Sequence, residues 1–580
     1  MANAEDTRRW AFLRDAWRLA KPYWSSEDKR WAWGLLAAVI GLNLGSVFIN
    51  VRLNIWRNAF YNTLQDLDEH GFWEQLAVFT GLAAAFIVIV VYQTYLQQML
   101  QIRWRRWLTR RYLGEWLGDK AYYRLQLEGN PADNPDQRIA DDLNRFTDAS
   151  LSLTLGLLNA VVTLFSFLSI LWVLSGPLTI PLGSLGSFEL PGYMLWFALV
   201  YAIGGTWLTF KIGRPLVGLN FRQQRFEADF RFALVRLREN TEAVALYSGE
   251  ERELAEFRTL FVNVVDNFWK IMRRIKALGW WTSFYNQFAV IFPYIVAAPR
   301  FFAKEMQLGG LMQTADAFGT VQGSLSFIIG AYTDIATWQA VVQRLAGFDA
   351  RVRAVAAEAL APQPIVIARE GSGLAVTGLD LDLPQGAPLL HQVGLTVEPG
   401  QSVLITGPTG SGKSTLLRAM SGIWPYGKGA VRLALGKLLF LPQKPYMPLG
   451  SLRDAVAYPG ASDAFPDSKI QAAMASVGLD AFAGRLDETD NWAQRLSLGE
   501  QQRLSFARVL LSEPDLVFLD EATSALDEPS EARFYQMLRA ALWHPTIVSV
   551  GHRGTLAAFH DRGVDIAAFR AGPPSKTAST

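Results

Sequence analysis

Cysteine is absent from all 580 residues, which excludes disulfides and thiolate metal sites and leaves the redox compartment open. Charge is also sparse: Asp, Glu, Lys and Arg together make up 19% of the chain, and the formal net charge is only +2. So small a balance gives no general attraction for nucleic acid. A cleavable leader is not expected, because Arg8, Arg9, Arg14 and Arg18 interrupt the region where its apolar core would have to lie. No internal repeat is evident, and the only low-complexity stretch is the tail from Gly572 to Thr580, which reads as disordered. In place of charge the chain is 50% apolar and 12% aromatic, too long for one domain and too apolar for an ordinary soluble enzyme.

The apolar excess lies before residue 340. Stretches near Trp31 to Trp56, Leu76 to Leu96, Leu151 to Leu174, Tyr193 to Phe210, Trp280 to Ala298 and Leu311 to Tyr332 each approach the roughly 20 residues needed to cross a bilayer as a helix. Six spans place both termini on one side. Arg103, Arg105, Arg106, Arg110 and Arg111 follow span two, and Lys211, Arg214, Arg222, Arg225 and Arg231 follow span four. The opposite connections are poor in positive charge, so the termini are expected in the cytoplasm. Trp10, Leu13, Trp17 and Ala20 recur at helical spacing and predict an amphipathic helix on the inner membrane surface over residues 1–30. The expected organisation is this helix, a membrane domain over 31–340, a linker over 341–364, an α/β nucleotide-binding domain over 365–570 and a tail over 571–580.

That α/β region carries Gly407-Pro408-Thr409-Gly410-Ser411-Gly412-Lys413-Ser414-Thr415 between an apolar run, Ser402 to Thr406, and a helix-like segment. This is a complete phosphate loop. Its glycines let the backbone wrap a polyphosphate, Lys413 reaches the outer phosphates and the Ser414 hydroxyl can hold Mg²⁺. Downstream, the strand-like Leu516 to Leu519 ends in Asp520-Glu521, an aspartate for the metal followed by a carboxylate able to deprotonate water. ATP or GTP is the expected ligand.

Between these motifs, Leu496-Ser497-Leu498-Gly499-Glu500-Gln501-Gln502-Arg503 resembles the signature of ATP-binding-cassette (ABC) proteins. Gln443 after Phe440-Leu441-Pro442 looks like the Q-loop, Ser524-Ala525-Leu526-Asp527 like the D-loop, and His552 after Val550-Gly551 like the switch histidine. The resemblance implies ATP and Mg²⁺ as ligands, with Ser414, Gln443 and Asp520 around the metal. It implies further that Glu521 polarises the attacking water, that His552 contacts the γ-phosphate, and that Gln443 couples the metal to the membrane domain. Ser497, Gly499 and Asp527 would complete the site of a second cassette. The signature departs from the common pattern at Leu498 and Glu500, and Leu383 stands where an aromatic residue usually stacks on adenine.

In the membrane half, Asn54-Ile55-Trp56-Arg57-Asn58-Ala59-Phe60-Tyr61, Asn134-Pro135-Asp136-Gln137-Arg138-Ile139 and Glu227-Ala228-Asp229-Phe230-Arg231-Phe232 resemble the SbmA/BacA-like bacterial transporters with a fused ATPase (the YddA-like group), and more distantly the peroxisomal ABC subfamily D. The implied fold is a six-span helical domain of the ABC exporter type, with long cytoplasmic helix extensions, fused to an α/β P-loop ATPase. One membrane domain and one cassette make half a transporter, so a homodimer is expected, or else pairing with a second half-transporter. The foremost reading is import of peptides or cobalamin-like solutes across the inner membrane of a bacterium. Export or transfer of lipids, fatty acyl compounds or drugs stands second, and an ATP-gated regulatory membrane protein with little hydrolysis stands third. No nucleic-acid partner is expected.

Polar residues inside spans point to the solute path. Asn43, Ser46, Asn50, Asn54 and Arg57 recur at three- and four-residue intervals in the first span, and Gln313, Asp316, Thr320 and Gly323 in the last. Asn43, Asn50, Asn54, Gln313 and Asp316 are therefore expected along a hydrated cavity, interhelical hydrogen bonding being the competing use of such stripes.

Overall fold

The structure is a computed structural model describing residues 2–127, 134–181, 187–360 and 363–571. The expected tail from Gly572 and the boundary pair Ala361-Pro362 lie outside the described residues. Contacts divide the chain into two units, one built from Met1–Gly114 with Asp133–Ala350 and the other from Glu115–Ala132 with Arg351–Thr580.

The first unit is helical: α1 (Ala2–Trp24), α2 (Lys29–Gln65) and most of α3 (Glu69–Leu117), after which the chain enters the second unit through α4 (Ala121–Leu127). It returns with α5 (Pro135–Gln137), α6 (Leu143–Ser175), a hairpin of β1 (Pro177–Pro181) and β2 (Ser187–Pro191), α7 (Tyr193–Glu239), α8 (Thr241–Leu246) and α9 (Glu250–Phe302). Then follow α10 (Leu308–Leu325), α11 (Phe327–Gly330) and α12 (Tyr332–Leu360). All six expected spans fall on helices, namely α2, α3, α6, α7, α9 and α10 with α11. Among the described residues, four helical segments are long and apolar enough to cross a membrane on hydropathy alone, those containing α2, α3, α6 and α7. The fifth and sixth are diluted by Asn286, Asp316 and their polar neighbours. Helix α3 has 49 residues, about 74 Å at 1.5 Å per residue, far more than the ~30 Å hydrocarbon layer requires.

The anticipated sixth span is not one straight helix. It breaks at Ser326 and again at Ala331, just beyond hydroxyls that bond back to their own helix, Thr320 to the Asp316 carbonyl and Ser324 to the Thr320 carbonyl. Such back-bonding bends helices. The stretch expected as a linker is mostly helix, since α12 runs on to Leu360.

Helix α10 is central, packing against α2, α6, α7 and α9, with Ala317, Phe318 and Val321 fully buried among Phe167, Leu171, Met194 and Ala198. The α7–α9 pair closes tightly where Tyr201 and Tyr285 stack with centroids 4.6 Å apart. A Cβ on Gly205 would lie 2.0 Å from the Tyr285 ring, so glycine is required there. Helix α1 buries Ala16, Leu19 and Tyr23 and leaves Leu13 and Trp17 exposed, one face packed and one apolar face outward.

The second unit is a two-sheet α/β domain. Strands β3 (Ile365–Arg369), β4 (Leu374–Asp382), β5 (Pro388–Val397) and β7 (Gly427–Leu433) form one sheet in the order β3-β7-β4-β5. Strands β6 (Ser402–Thr406), β8 (Leu438–Leu441), β11 (Leu516–Asp520), β12 (Thr546–Val550) and β13 (Arg562–Asp565) form a parallel sheet in the order β13-β6-β12-β11-β8. A two-residue ladder joins β9 (Gly450–Ser451) to β10 (Thr489–Asp490). The parallel strands read as unbroken apolar runs because both faces are covered. Over them lie α13 (Lys413–Met420), α14 (Leu452–Ala457), α15 (Asp467–Ser476), α16 (Trp492–Arg495), α17 (Leu498–Ser512) and α18 (Glu528–Arg539). The connection after span two docks here: Leu127 of α4 packs on the core formed by Val403, Leu416 and Phe518.

Candidate functional site: a nucleotide site at the strand ends and a polar cavity among the spans

The phosphate loop joins β6 to α13, at the carboxyl end of a parallel sheet where ligands of α/β folds bind. Gly407, Gly410 and Gly412 have φ of 143°, 76° and 98°, a backbone region other residues enter only at a cost. Side chains would also fill the cradle, since a Cβ on Gly407 would lie 2.6 Å from Ile566. The Lys413 ammonium lies within the loop, donating to the carbonyls of Gly407 at 2.8 Å and Pro408 at 3.0 Å. The Ser411 hydroxyl is buried with no hydrogen-bond partner among the described residues. A buried polar group without a partner is costly, and this one lies in a loop built of anion-binding N–H groups. The residues present therefore fit a polyphosphate.

Strand β11 brings Asp520 and Glu521 alongside. Ser414 Oγ donates to Asp520 Oδ1 at 2.9 Å. Burial pushes the Asp520 carboxyl up from its ordinary range, and the adjacent Glu521 charge pushes the same way. Glu521 stands at φ 48°, a left-handed conformation that costs a β-carbon residue about 1–3 kcal/mol. Its two oxygens are held from opposite sides, Oε2 by the Gln443 amide at 2.9 Å and Oε1 by His552 Nε2 at 2.7 Å. Three motifs separated along the chain thus meet on one carboxylate.

Ser497 is exposed and caps α17, accepting from the Glu500 N–H at 3.3 Å and donating to Glu500 Oε2 at 2.8 Å. The unusual Glu500 therefore completes a capping box, which satisfies two otherwise orphaned donors at the helix start. Gly499 sits close to the D-loop, where a Cβ would lie 3.2 Å from the Ala525 carbonyl. Asp527 is exposed at the start of α18, and Leu383 is partly exposed just after β4.

Two residues not singled out from sequence bind these loops together. Gln502, fully buried, donates to the Gln443 carbonyl at 3.0 Å and to Ser524 Oγ at 3.2 Å, and accepts from the Ala525 N–H at 2.9 Å. It joins the signature helix to both the Q-loop and the D-loop. Arg553, next to the switch histidine, donates to the Leu526 and Ser524 carbonyls at 2.8 and 3.0 Å. Gln502 lies within the signature and Arg553 beside the switch histidine, but what each one ties together depends on partners from other loops.

In the helical unit the expected path residues separate into two groups. Asn54 and Gln313 are buried and bond one another, Gln313 Nε2 donating to Asn54 Oδ1 at 3.1 Å. They belong to a ladder in which Asn58 Nδ2 donates to Gln313 Oε1 at 2.6 Å and Asn62 Nδ2 to Asn58 Oδ1 at 2.8 Å. Asn62 and Gln65 then accept the N–H groups of Gly309 and Leu308 at 2.8 and 2.6 Å. These are first-turn donors of α10 that lack partners within their own helix. Asn43 is buried, its Oδ1 without a partner among the described residues, and Asn50 is half-buried. Asp316 instead lines a cavity of ≈ 500 Å³ between α2, α9 and α10. It accepts from Asn54 Nδ2 at 2.7 Å and forms an ion pair with Arg57 on the same cavity wall.

The family described as ABC transporter transmembrane region 2 matches residues 19–302, and the ABC transporter family matches residues 390–524. ABC transporter D family member 2, chloroplastic, of Arabidopsis thaliana is 35% identical, over 95% of this chain and 85% of its own. The inner membrane ABC transporter ATP-binding protein YddA of Escherichia coli is 33% identical, over 95% and 97%. The human lysosomal cobalamin transporter ABCD4 is 28% identical, over 93% and 91%. A bacterial Atm1-family ABC exporter solved with ATP bound shares the fold, with a TM-score of 0.69 over 93% of each chain at 17% identity. With its helical membrane unit, its cassette and these relatives, the chain belongs to the ABC transporter family, in the form that fuses the transmembrane and ATPase domains.

Proposed function

We propose that this ABC transporter works as a homodimer in a bacterial inner membrane, with termini and cassette in the cytoplasm, and that ATP hydrolysis drives uptake of bulky polar solutes, peptides or cobalamin-like molecules. The observation that carries the polar cargo is the Arg57–Asp316 pair on a cavity wall among the spans. Ionisable residues at membrane depth are expensive and face water or solute rather than lipid. The relatives named for the inner membrane and for cobalamin support the location and the cargo class, and the arginine clusters after spans two and four support the orientation. One cassette per chain together with exposed Ser497 and Asp527, which a second copy would bring to the phosphate loop, supports the homodimer.

In this reading Glu521 takes a proton from the attacking water once either Gln443 or His552 turns toward the nucleotide and frees a carboxylate oxygen. Ser414, Asp520 and Gln443 would hold Mg²⁺, which neutralises phosphate charge; a dication also suits the desolvated Asp520 carboxyl beside Glu521. Lys413 exchanges its two backbone carbonyls for phosphate oxygens.

The test is ATP-dependent accumulation of a labelled antimicrobial peptide, and separately of cobalamin, in vesicles of known orientation, comparing wild type with Glu521→Gln. Movement toward the cassette side, lost in the variant, is expected. Movement away from it, or none alongside vigorous ATP hydrolysis, would transfer the assignment to lipid or drug export.

A further inference from the structure

The cavity between α2, α9 and α10 holds one charge of each sign, and the two are mounted differently. Asp316 is fixed: one of its oxygens accepts from Asn54, which is fully buried and locked to Gln313 by two further hydrogen bonds. Arg57 is a flexible arm, 44% exposed, and Asp316 accepts from it on the other oxygen. Around the pair stand hydrogen-bonding groups of Tyr61, Asn286, Tyr294 and Gln322. The cavity volume of ≈ 500 Å³ is that of a small-ligand site, which typically runs from about 300 to 1,000 Å³.

We infer that this cavity binds a short zwitterionic peptide by exchange of the ion pair, its ammonium replacing Arg57 on Asp316 while its carboxylate takes the released guanidinium. The inference rests on the reading of the chain as a transporter of peptide-like solutes and names the part of the cargo that is recognised. Charge balance selects this class. A purely anionic solute could draw Arg57 away but would lie beside an Asp316 left with only its Asn54 bond. A purely cationic solute would displace Arg57 with nothing to receive it. Stranding one member of a partly desolvated pair is costly, whereas a ligand carrying both charges leaves no charge unpaired. The guanidinium fork suits a carboxylate because it offers two parallel donors.

The experiment measures binding of radiolabelled trialanine to the purified full-length transporter, and its displacement by unlabelled trialanine, N-acetyl-trialanine, trialanine amide and the doubly blocked peptide. Free trialanine should bind, and blocking either end should weaken binding about tenfold to a hundredfold, the size expected for one charge-assisted hydrogen bond. Arg57→Gln should abolish the penalty for the C-terminal amide and keep that for acetylation. Asp316→Asn, which can still pair with Asn54, should do the reverse, and Arg57→Lys should restore part of the discrimination. An unchanged melting temperature of the purified full-length transporter reports that each variant has folded. Equal affinity for free and blocked peptides, or penalties unchanged in both variants, would overturn the inference while leaving peptide transport standing. If no peptide binds and vesicles accumulate cobalamin instead, the inference falls together with the peptide reading.

Discussion

The nucleotide site and the α2–α10 seam are both rich in polar side chains, yet they differ in how completely those groups are satisfied. Along the seam, Asn54, Asn58, Asn62, Gln65 and Gln313 use one another and the first N–H groups of α10. In the phosphate loop, among the described residues, Ser411 Oγ has no partner and Lys413 bonds only its own loop's carbonyls. Completed hydrogen bonds mark the seam as a clasp between helices, whereas in a glycine-rich phosphate loop the unfinished ones mark a place for a ligand. Arg57 and Asp316 stand at the border, joined to the clasp through Asn54 and open to the cavity.

The sharpest way to test the ligand side of that contrast is Glu521→Gln. The amide keeps the size and can still bond its neighbours but cannot accept the proton, so ATP turnover should fall about 10²- to 10⁴-fold, with ATP binding retained. Steady-state hydrolysis and nucleotide binding on the same preparation decide it, and turnover near wild type would remove Glu521 from its role. Next in size is Gln502→Leu. It deletes three bonds linking α17 to the Q-loop and D-loop and leaves buried polar groups unpaired, each at about 1–3 kcal/mol. The expected result is a lower cassette melting temperature and hydrolysis reduced by roughly tenfold, although the one nucleotide-site residue its side chain bonds is Gln443, through the backbone carbonyl.

The clasp itself is broken at Gly309, where an added Cβ would lie 2.0 Å from the Asn58 carbonyl. Backbone cannot yield as a side-chain tip can, so Gly309→Ala should separate α10 from α2 at an overpacking cost of about 1–3 kcal/mol. A lowered melting temperature of the purified transporter, with ATP affinity unchanged, is the expected reading. An unchanged melting temperature would mean that the amide ladder contributes nothing to the joint.

These residues also show what could be read before the fold was known. The cassette is legible because three of its motifs put their chemistry at strand ends, Gly407 to Thr415 after β6, Asp520 and Glu521 closing β11 and His552 after β12, while the signature opens a helix at Ser497. The polar stripes on α2 and α10 were visible too, but periodicity alone does not distinguish a stripe that faces water from one that faces another helix. Asn58 and Asn62 do not stand out in the sequence because their partners lie 255 residues away at Gln313 and 247 residues away on the Gly309 backbone. Gln502 stands in the sequence only as part of a motif, since its role depends on where two other loops pass. The interruption at Ser326 follows from side-chain hydroxyls competing for helix carbonyls, a contest that apolar counting ignores.

The smallest expected effect sharpens the ligand side once more. Leu383 follows β4 and opens the turn closed by its bonds with Ala387 and Gly386. Its side chain is 37% exposed, offering adenine an aliphatic surface in place of a ring. Stacked rings gain about 0.5–1.5 kcal/mol beyond area burial, so Leu383→Tyr should tighten ATP binding roughly two- to tenfold, with little change in the hydrolysis rate at saturation. Because a stacking gain depends on the base, affinity for ATP and for inosine triphosphate should rise together while that for inorganic triphosphate stays fixed. Equal tightening of all three would place the effect on the phosphate loop, and no tightening would mean that the base lies elsewhere than over Leu383.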